Sequence, residues 1–388
     1  MEYTDELHKF VLSDFVTRIT RRNKNNESLL PLTISAQYGL VDQITFFNKT
    51  IASVDLSGYY LLYNGDFAYN KSYSNDYAWG AVKRLDKYKK GCLSSLYFVF
   101  HPTDKVDSDY LTHYFETNKW HKGISDIAGE GARNHGLLNM SVDDYFATKH
   151  YLPTLPEQRK IADFLNLIVK RIEIQNKIIE DLKVLKKELC NKVFNSSCCD
   201  SEIKIREIAR VYGGYAFSSK TYVDNGQYKI ITIGNVTGEY FISGEYNTIE
   251  CLPQNIQKQQ ILDNGDILIS LTGNVGRISL VKGNKFLLNQ RVAKLAIKDK
   301  ALKNYVYQYL SHSSFEKDMK NAGQGAAQKN IKNEDILSYN IRIPSEKEAT
   351  LENIVNLFLT YDKKIENEMN IINHLQHQKN FLLNAMFI

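Results

Sequence analysis

Apolar residues recur at helical spacing over residues 155–194, in alternating steps of four and three positions. This spacing is the pattern of a coiled-coil seam. The seam positions are Ile161, Leu165, Ile168, Ile172, Gln175, Ile179, Leu182, Lys186, Leu189 and Val193. A helix of 38 residues is about 57 Å long at 1.5 Å per residue. A helix of that length with one apolar seam needs a partner along its length.

The same seam recurs 193 residues later, over residues 345–387. Its positions are Ile354, Phe358, Tyr361, Ile365, Glu368, Ile372, Leu375, Lys379, Leu382 and Met386. The polar interruptions also recur, because Gln175 matches Glu368 and Lys186 matches Lys379. The pattern therefore predicts two related long helices, each of which is the natural partner of the other.

The segments that precede the two helices also correspond. The matching pairs are LSDFVTRI (12–19) with IREIARVY (205–212), LTISAQYGLVD (32–42) with IITIGNVTGEY (230–240), YNGDFAYN (63–70) with DNGDILIS (263–270), and AGEGARN (128–134) with AGQGAAQ (322–328). Short β-rich runs, separated by Gly, Asn and Asp, lie between these landmarks. We therefore predict an α+β protein that contains one unit twice: a small, mainly β domain followed by a long helix. The predicted boundaries are 1–150 for the first domain, 151–200 for its helix and joint, 201–340 for the second domain, and 341–388 for its helix.

Composition narrows the class of protein only slightly. The 388 residues carry a net charge of +5, which is compatible with nucleic-acid binding. The acidic, polar start of the chain, the absence of a long apolar run and five cysteines without metal-ligand spacing predict a cytoplasmic protein without disulfides.

Catalytic motifs are missing from the sequence. It contains no Asn-Pro-Pro-aromatic or Asp-Pro-Pro-aromatic motif for a flipped adenine and no GxxxxGK[ST] motif for ATP. His374 and His377 are three positions apart, but no third metal ligand is evident. We expect no catalytic and no metal site. A stand-alone DNA methyltransferase or nuclease and a coiled-coil adaptor without DNA binding stay as alternatives.

The segment PEQRKIADFLNLI (156–168), its heptad helix and the repeat resemble the specificity subunit of type I restriction–modification systems. IPSEKEATLENIVNLFLTYDKKIE (343–366) is a weaker copy that lacks the Glu-Gln pair, and GAAQKNIKNEDI (325–336) is similar to the end of the second recognition domain of that family. The resemblance implies that each domain reads one half of a split DNA sequence. It also implies an antiparallel coiled coil and docking of two adenine-methyltransferase subunits and of restriction subunits. Catalysis, with S-adenosylmethionine, ATP and Mg²⁺, would belong to those partners.

Basic and amide side chains are the candidates for DNA contacts. Lys and Arg neutralise phosphates, whereas Arg, Asn and Gln make bidentate contacts to bases. The phosphate candidates are Arg18, Arg21, Arg22, Lys24, Lys83, Arg84, Lys220, Arg277, Lys282, Arg291, Lys329 and Lys332. The base-reading candidates are Arg133, Asn134, Gln328 and Asn330, and Tyr73 and Tyr77 are candidates for further DNA contacts. Solvated surface charges and core aromatic residues are the alternative interpretation.

A second apolar strip is expected on the outside of the helix pair. It comprises Phe164, Ile178, Leu185, Leu357 and Ile371. Exposed apolar strips on helices favour further helices from partners. We expect methyltransferase subunits to dock here.

Overall fold

The computed structural model describes residues 7–49, 52–74, 77–128, 136–311, 313–322, 330–345 and 347–387. The chain divides into two units by its contacts. The first comprises Met1–Gln175 and Ile371–Ile388, and the second comprises Asn176–Asn370. Each unit contains one globular domain together with a part of each long helix.

The globular domain of the first unit is built around a four-stranded antiparallel sheet. Its strands are β1 (His8–Val11), β2 (Val16–Arg18), β3 (Leu32–Ser35), β4 (Gly39–Asp42), β5 (Tyr60–Tyr63), β6 (Phe67–Asn70), β7 (Ala81–Arg84), β8 (Lys90–Leu93), β9 (Phe98–Pro102) and β10 (Lys149–Leu152). Its short helices are α1 (Leu12–Phe15), α2 (Gln43–Phe47), α3 (Ser108–Tyr114), α4 (His121–Ile127) and α5 (Val142–Phe146). The sheet has the order β2-β9-β6-β7, and β1/β10, β3/β4 and β5/β8 form separate antiparallel pairs.

Both faces of this sheet are buried, which explains the continuous apolar runs in its central strands. Side chains alternate between the two faces of a strand. Phe67 and Tyr69 face the helices, where Tyr69 stacks on Tyr145 at 4.6 Å between ring centroids. Ala68 and Val99 face the opposite way, into the core formed with β3, β5 and β8.

The first long helix, α6 (Leu155–Phe194), leads into the second unit. The strands of this unit are β11 (Ser201–Lys204), β12 (Arg210–Gly213), β13 (Tyr228–Ile231), β14 (Asn247–Ile249), β15 (Ile261–Leu262), β16 (Ile267–Ser270), β17 (Ile278–Leu280), β18 (Phe286–Leu288), β19 (Val292–Ala296) and β20 (Asn340–Ile343). Its helices are α7 (Ile205–Ile208), α8 (Lys300–Leu310), α9 (Ser313–Ala322), α10 (Asn333–Leu337) and the second long helix, α11 (Lys347–Met386). One four-stranded sheet has the order β12-β19-β16-β17, a second has the order β14-β13-β18-β15, and β11/β20 form a separate antiparallel pair.

The two globular domains repeat the same order of elements, which confirms the predicted duplication. The strand order β2-β9-β6-β7 of the first recurs as β12-β19-β16-β17 in the second. The recurring Asn-Gly-Asp segment forms the same turn in both. Asp66 accepts a hydrogen bond from the Tyr63 amide at 2.7 Å, and Asp266 accepts one from the Asp263 amide at 2.8 Å. The glycine in each turn has a positive φ, which suits glycine because it lacks a Cβ atom.

The two long helices pack together as an antiparallel coiled coil. In the first unit, Leu165 near the start of α6 shares a core with Leu383 near the end of α11. In the second unit, the ring centroids of Phe194, at the end of α6, and Phe358, near the start of α11, are 5.4 Å apart. Every predicted seam position of both helices is buried or partly buried. The second long helix is described over Lys347–Met386.

Candidate nucleic-acid interface

Polar loops converge at one end of the four-stranded sheet in the second unit. We define the loop end of this unit as residues 271–277, 289–291 and 330–332. The Leu271 amide donates to the Arg291 carbonyl at 3.0 Å, and the Ile331 amide donates to the Leu271 carbonyl at 2.9 Å. Thr272 forms an isolated β-bridge with Asn330. Three segments that are distant in sequence are therefore held side by side where β16 ends and β19 begins.

The first unit has an equivalent loop end, which we define as residues 71–74, 77–79 and 136–138. The Leu138 amide donates to the Lys71 carbonyl at 2.9 Å, and Ser72 forms a β-bridge with Leu137. These contacts reproduce those of Ile331 with Leu271 and of Thr272 with Asn330. The same backbone arrangement therefore carries different side chains in the two units.

Local hydrogen bonds and glycines fix the loops. In the first unit, the Asn70 side chain accepts from the Ser72 amide at 3.0 Å, as is typical of a turn after a strand. Gly80, which closes this loop, has φ +79°, and a Cβ atom there would lie 2.2 Å from the Asn70 carbonyl oxygen. In the second unit, the Ser270 hydroxyl donates to the Asn274 carbonyl at 2.5 Å and accepts from the Arg277 amide at 3.1 Å. The side chains of both loops are thus presented from a defined backbone.

Three predicted residues lie at the loop end of the second unit with exposed side chains: Arg291, Asn330 and Lys332. Within the described residues, neither Arg291 nor Lys332 forms an ion pair. Arg277 also lies here but is half-buried, and its Nε is 3.6 Å from a Glu316 carboxylate oxygen.

Two further predicted residues of this unit lie away from the loop end. Lys220 is exposed in a 3₁₀ turn. Lys282 pairs with Glu366 of α11 and lies 4.6 Å from the Phe241 ring centroid.

The predicted basic residues near β2 are all exposed, and two of them are bound to neighbouring groups. Arg18, at the end of β2, and Lys24 are exposed. Arg21 pairs with the buried Asp66 and donates from Nε to the Leu61 carbonyl at 2.8 Å. Arg22 donates to the Gly58 carbonyl at 2.8 Å and lies over the Tyr60 ring at 4.3 Å. Arg21 and Arg22 are therefore bound to neighbouring groups of the domain, although both remain exposed to solvent.

Lys83 and Arg84 belong to β7, are partly buried and are paired with acidic side chains. Arg84 bonds Asp86 and Asp109 at 2.6 Å each. Lys83 lies 4.0 Å from a Glu116 carboxylate oxygen, and burial lowers the pKa of its ammonium group although Glu116 opposes that shift. These two side chains are not available to phosphates in this structure.

The aromatic and amide candidates have different surroundings. Tyr73 lies at the loop end of the first unit and is partly buried, and its amide donates to the Gly136 carbonyl at 3.0 Å. Tyr77 packs against the apolar core beside β3 and β5. The predicted contacts Arg133, Asn134, Gln328 and Lys329 lie outside the described residues.

Sequence reasoning missed polar residues that the loop ends bring together. They are Lys71, Ser72, Thr272, Asn274 and Gln290. A signal was present, because the matched landmarks YNGDFAYN and DNGDILIS end at residues 70 and 270. The residues that follow them were therefore equivalent positions in the repeat.

The outer surface of the helices carries the predicted apolar strip. Phe164, Ile178, Leu185, Leu357 and Ile371 are all exposed, each by more than a third of its surface. Further exposed apolar residues on the same helices, which the sequence analysis did not single out, are Leu167, Ile174, Val184, Met369 and Phe381.

Other site classes find little support in the described part of the chain. It contains no group of three or more His, Cys, Asp or Glu side chains placed to hold a metal ion. All five cysteines are free thiols. None of its helices is both long enough and apolar enough to cross a membrane.

Comparison with known proteins supports one family. Residues 201–377 match the family model of the type I restriction modification DNA specificity domain. The chain is 24% identical over 313 residues to the type I restriction enzyme MjaVIII specificity subunit of Methanocaldococcus jannaschii, which covers 72% of this chain and 71% of that protein. It is 26% identical over 258 residues to the putative MjaX specificity subunit of the same organism, which covers 63% of this chain and 59% of that protein.

Solved structures share the fold over the full length. The S subunit of a type I system from M. genitalium aligns with a TM-score of 0.57 and 15% identity, over 100% of this chain and 98% of that one. A chain from a study of complex assembly and conformational transition in the type I R-M system aligns with a TM-score of 0.56 and 15% identity, over 99% of both chains. Neither the adaptor nor the stand-alone enzyme alternative gains support from these relatives. Residues 201–377 therefore form a type I restriction modification DNA specificity domain, and the chain as a whole is similar to the specificity subunits of type I systems.

Proposed function

We propose that this chain reads a split duplex DNA sequence for a type I restriction–modification complex, with one half-site for each globular domain. The observation that carries the proposal is the loop end, which is built twice from the same backbone hydrogen bonds. Lys71, Ser72 and Tyr73 of the first unit stand where the second has Leu271, Thr272 and Gly273. A shared backbone with different side chains suits two domains that dock alike but read different bases.

The exposed side chains divide between two tasks. Arg18 and Lys24 in the first unit, and Arg291 and Lys332 in the second, are free to neutralise phosphates. Asn330 and the neighbouring Gln290 are exposed amides of the type that reads adenine. We leave Lys83 and Arg84 out of the interface because their charged groups are paired with acidic side chains of the domain. We also assign no DNA contact to Arg21 and Arg22, which are exposed but bound to Asp66 and to the Gly58 carbonyl.

We further propose that the outer strip of the helices binds two copies of one modification subunit. Phe164 and Leu357 are 193 residues apart, as are Ile178 and Ile371, so the strip repeats with the chain. Two equivalent apolar surfaces suit two copies of the same partner. Adenine flipping and methyl transfer from S-adenosylmethionine then belong to that subunit, and ATP- and Mg²⁺-dependent cleavage belongs to a restriction subunit.

Binding of duplex DNA at several salt concentrations tests the proposal. The variants Arg291→Ala and Lys332→Ala, in the complex with the modification subunit, each remove one exposed charge at the loop end. Each should weaken binding and reduce the slope of log K against log salt by about 1.

Lys298→Ala is the matched control, because Lys298 is an exposed lysine just after β19, at the opposite end of the sheet. It should change neither the affinity nor the salt slope. Equal effects of all three variants would contradict the proposed interface. A complex that binds every duplex alike would contradict sequence-specific recognition.

A further inference from the structure

Each globular domain carries one short helix that contacts the long helices, and these two short helices are equivalent. The helix α3 is capped by Asp107, which accepts from the Tyr110 amide at 2.9 Å. The helix α8 is capped by Asp299, which accepts from the Leu302 amide at 2.6 Å. Glu116 lies nine residues after Asp107, and Gln308 lies nine residues after Asp299. Glu116 and Gln308 therefore occupy the same position of the repeat.

In the first unit, this position is charged, and Glu116 pairs with two lysines. We term Glu116, Lys379 and Lys83 the Glu116 cluster. A Glu116 carboxylate oxygen lies 2.7 Å from Nζ of Lys379, a seam residue of α11. Glu116 lies at the surface and is only partly shielded from solvent. This partial burial would raise the pKa of its carboxyl, but Lys379 and then Lys83 hold the pKa below its ordinary value. The first domain thus contributes the negative charge that this seam lysine requires.

In the second unit, the same position carries no charge and belongs to the Asp362 cluster (Asp362, Lys186 and Gln308). Nζ of Lys186, a seam residue of α6, lies 2.5 Å from an Asp362 carboxylate oxygen. Gln308 is fully buried and donates from its amide to the other Asp362 oxygen at 2.5 Å. Here α11 contributes the acid, and the domain contributes a neutral donor.

The two clusters are alternative solutions to one problem. Lys186 and Lys379 are 193 residues apart and occupy the same seam position. The residue 193 positions before Asp362 is Val169, so the first unit has no acid at that point of its helix. In the first unit, the domain contributes Glu116 and α6 contributes Val169. In the second unit, the domain contributes Gln308 and α11 contributes Asp362. Each pairing leaves one acid for one seam lysine.

We infer that the residues of the Glu116 and Asp362 clusters are positioning residues, which make each globular domain compatible with its own segment of the helix pair. They thereby fix the orientation in which that domain binds its half-site. The second part of this inference rests on the proposed function. Breaking the buried pair of Asp362 and Lys186 leaves an uncompensated charge, and a second carboxylate beside that pair is repelled by Asp362. Exchange of one residue alone is therefore unfavourable, whereas exchange of both restores the balance.

Conversion of the second cluster into the first tests the inference on the full chain. Gln308→Glu adds an acid beside Asp362, and Asp362→Val removes the acid from Lys186. Each single variant should raise the unfolding equilibrium constant of the second unit by about a hundredfold or more. The double variant should recover most of that loss. The control Gln254→Glu adds a carboxylate at an exposed position of the same unit and should leave its stability unchanged.

Hydrogen exchange of α8 amides, read against urea, reports stability in the second unit. If the changes in the free energy of unfolding of the two single variants simply add in the double variant, the inferred matching is overturned, whatever the DNA result.

The second readout is binding to two DNA duplexes. One carries the split motif that is identified by mapping adenine methylation in host DNA, and the other carries the same motif with its spacer changed by one base pair. Wild type and the double variant should discriminate between them, and each single variant should discriminate about tenfold less. Rescue of stability with unchanged discrimination in the single variants would show a purely structural role and overturn the positioning claim. A wild-type chain that discriminates between no duplexes would instead refute the proposed function, while the stability comparison would still decide the matching.

Discussion

Acidification from pH 7 to pH 4 will destabilise the first unit because His150 is buried as a neutral ring. Only 2% of His150 is exposed, and burial lowers its pKa from 6.5 to about 4. The Thr148 hydroxyl donates to the Tyr145 carbonyl at 2.7 Å, so it accepts from Nε2 of His150 at 2.9 Å. Nδ1 then accepts from the Tyr114 hydroxyl at 2.8 Å. A proton on Nδ1 would reverse this last bond, and the Tyr114 hydroxyl proton would lose its acceptor.

The magnitude follows from the two pKa values. Between pH 6.5 and pH 4 the unfolded chain binds a proton at this residue, whereas the folded chain does not. Stability is therefore complete above pH 6.5 and is lost as the pH falls toward 4. Each pH unit in this window is equivalent to about 1.4 kcal/mol, which gives a loss of about 2 kcal/mol at pH 5 and about 3 kcal/mol at pH 4.

Tryptophan fluorescence during urea unfolding measures this effect in the first unit alone. The chain has two tryptophans, Trp79 and Trp120, and both belong to the first unit. His150→Gln keeps a donor and an acceptor but cannot be protonated in this range. It should lose about 2 kcal/mol less than the wild type between pH 7 and pH 5.

The buried His113 titrates in both proteins and cancels in the comparison, because burial lowers its pKa as well. His374→Gln, at an exposed position, should behave as the wild type does. The same loss of stability in wild type and His150→Gln would refute the reasoning.

Two further predictions concern the long helices. Phe358→Ala removes a fully buried seam side chain and should lower the free energy of unfolding by about 3–5 kcal/mol in urea titrations followed by far-UV circular dichroism, whereas Phe381→Ala, at an exposed position, should change it by less than about 0.5 kcal/mol. Equal effects of the two variants would contradict the seam. Alanine at Phe164, Ile178 and Ile371 together should abolish co-purification with the modification subunit at unchanged melting temperature, and an intact complex would contradict the docking surface.

The long helices could be predicted from the sequence because their seam is a local, periodic pattern. Even the polar positions Gln175 and Lys186 recur as Glu368 and Lys379, so the duplication was visible there without alignment of the globular domains.

Residue roles in the globular domains could not be predicted because they depend on partners that are distant in sequence. Lys83 and Arg84 look like free surface charges until the fold brings Glu116 and Asp109 to them. The equivalence of Glu116 and Gln308 is hidden for the same reason. The two residues differ in charge, so their equivalence is recognised only when the capping residues Asp107 and Asp299 of the two short helices are aligned.

The measurement that tests the central claim most directly is long-read mapping of adenine methylation in host DNA, with and without the gene for this chain. The account predicts that deletion removes methylation at one split motif and leaves other methylated motifs intact. Restoration with the Arg291→Ala and Lys332→Ala variants combined should recover it only weakly. An unchanged methylome, in a strain that expresses the modification subunit, would contradict the account.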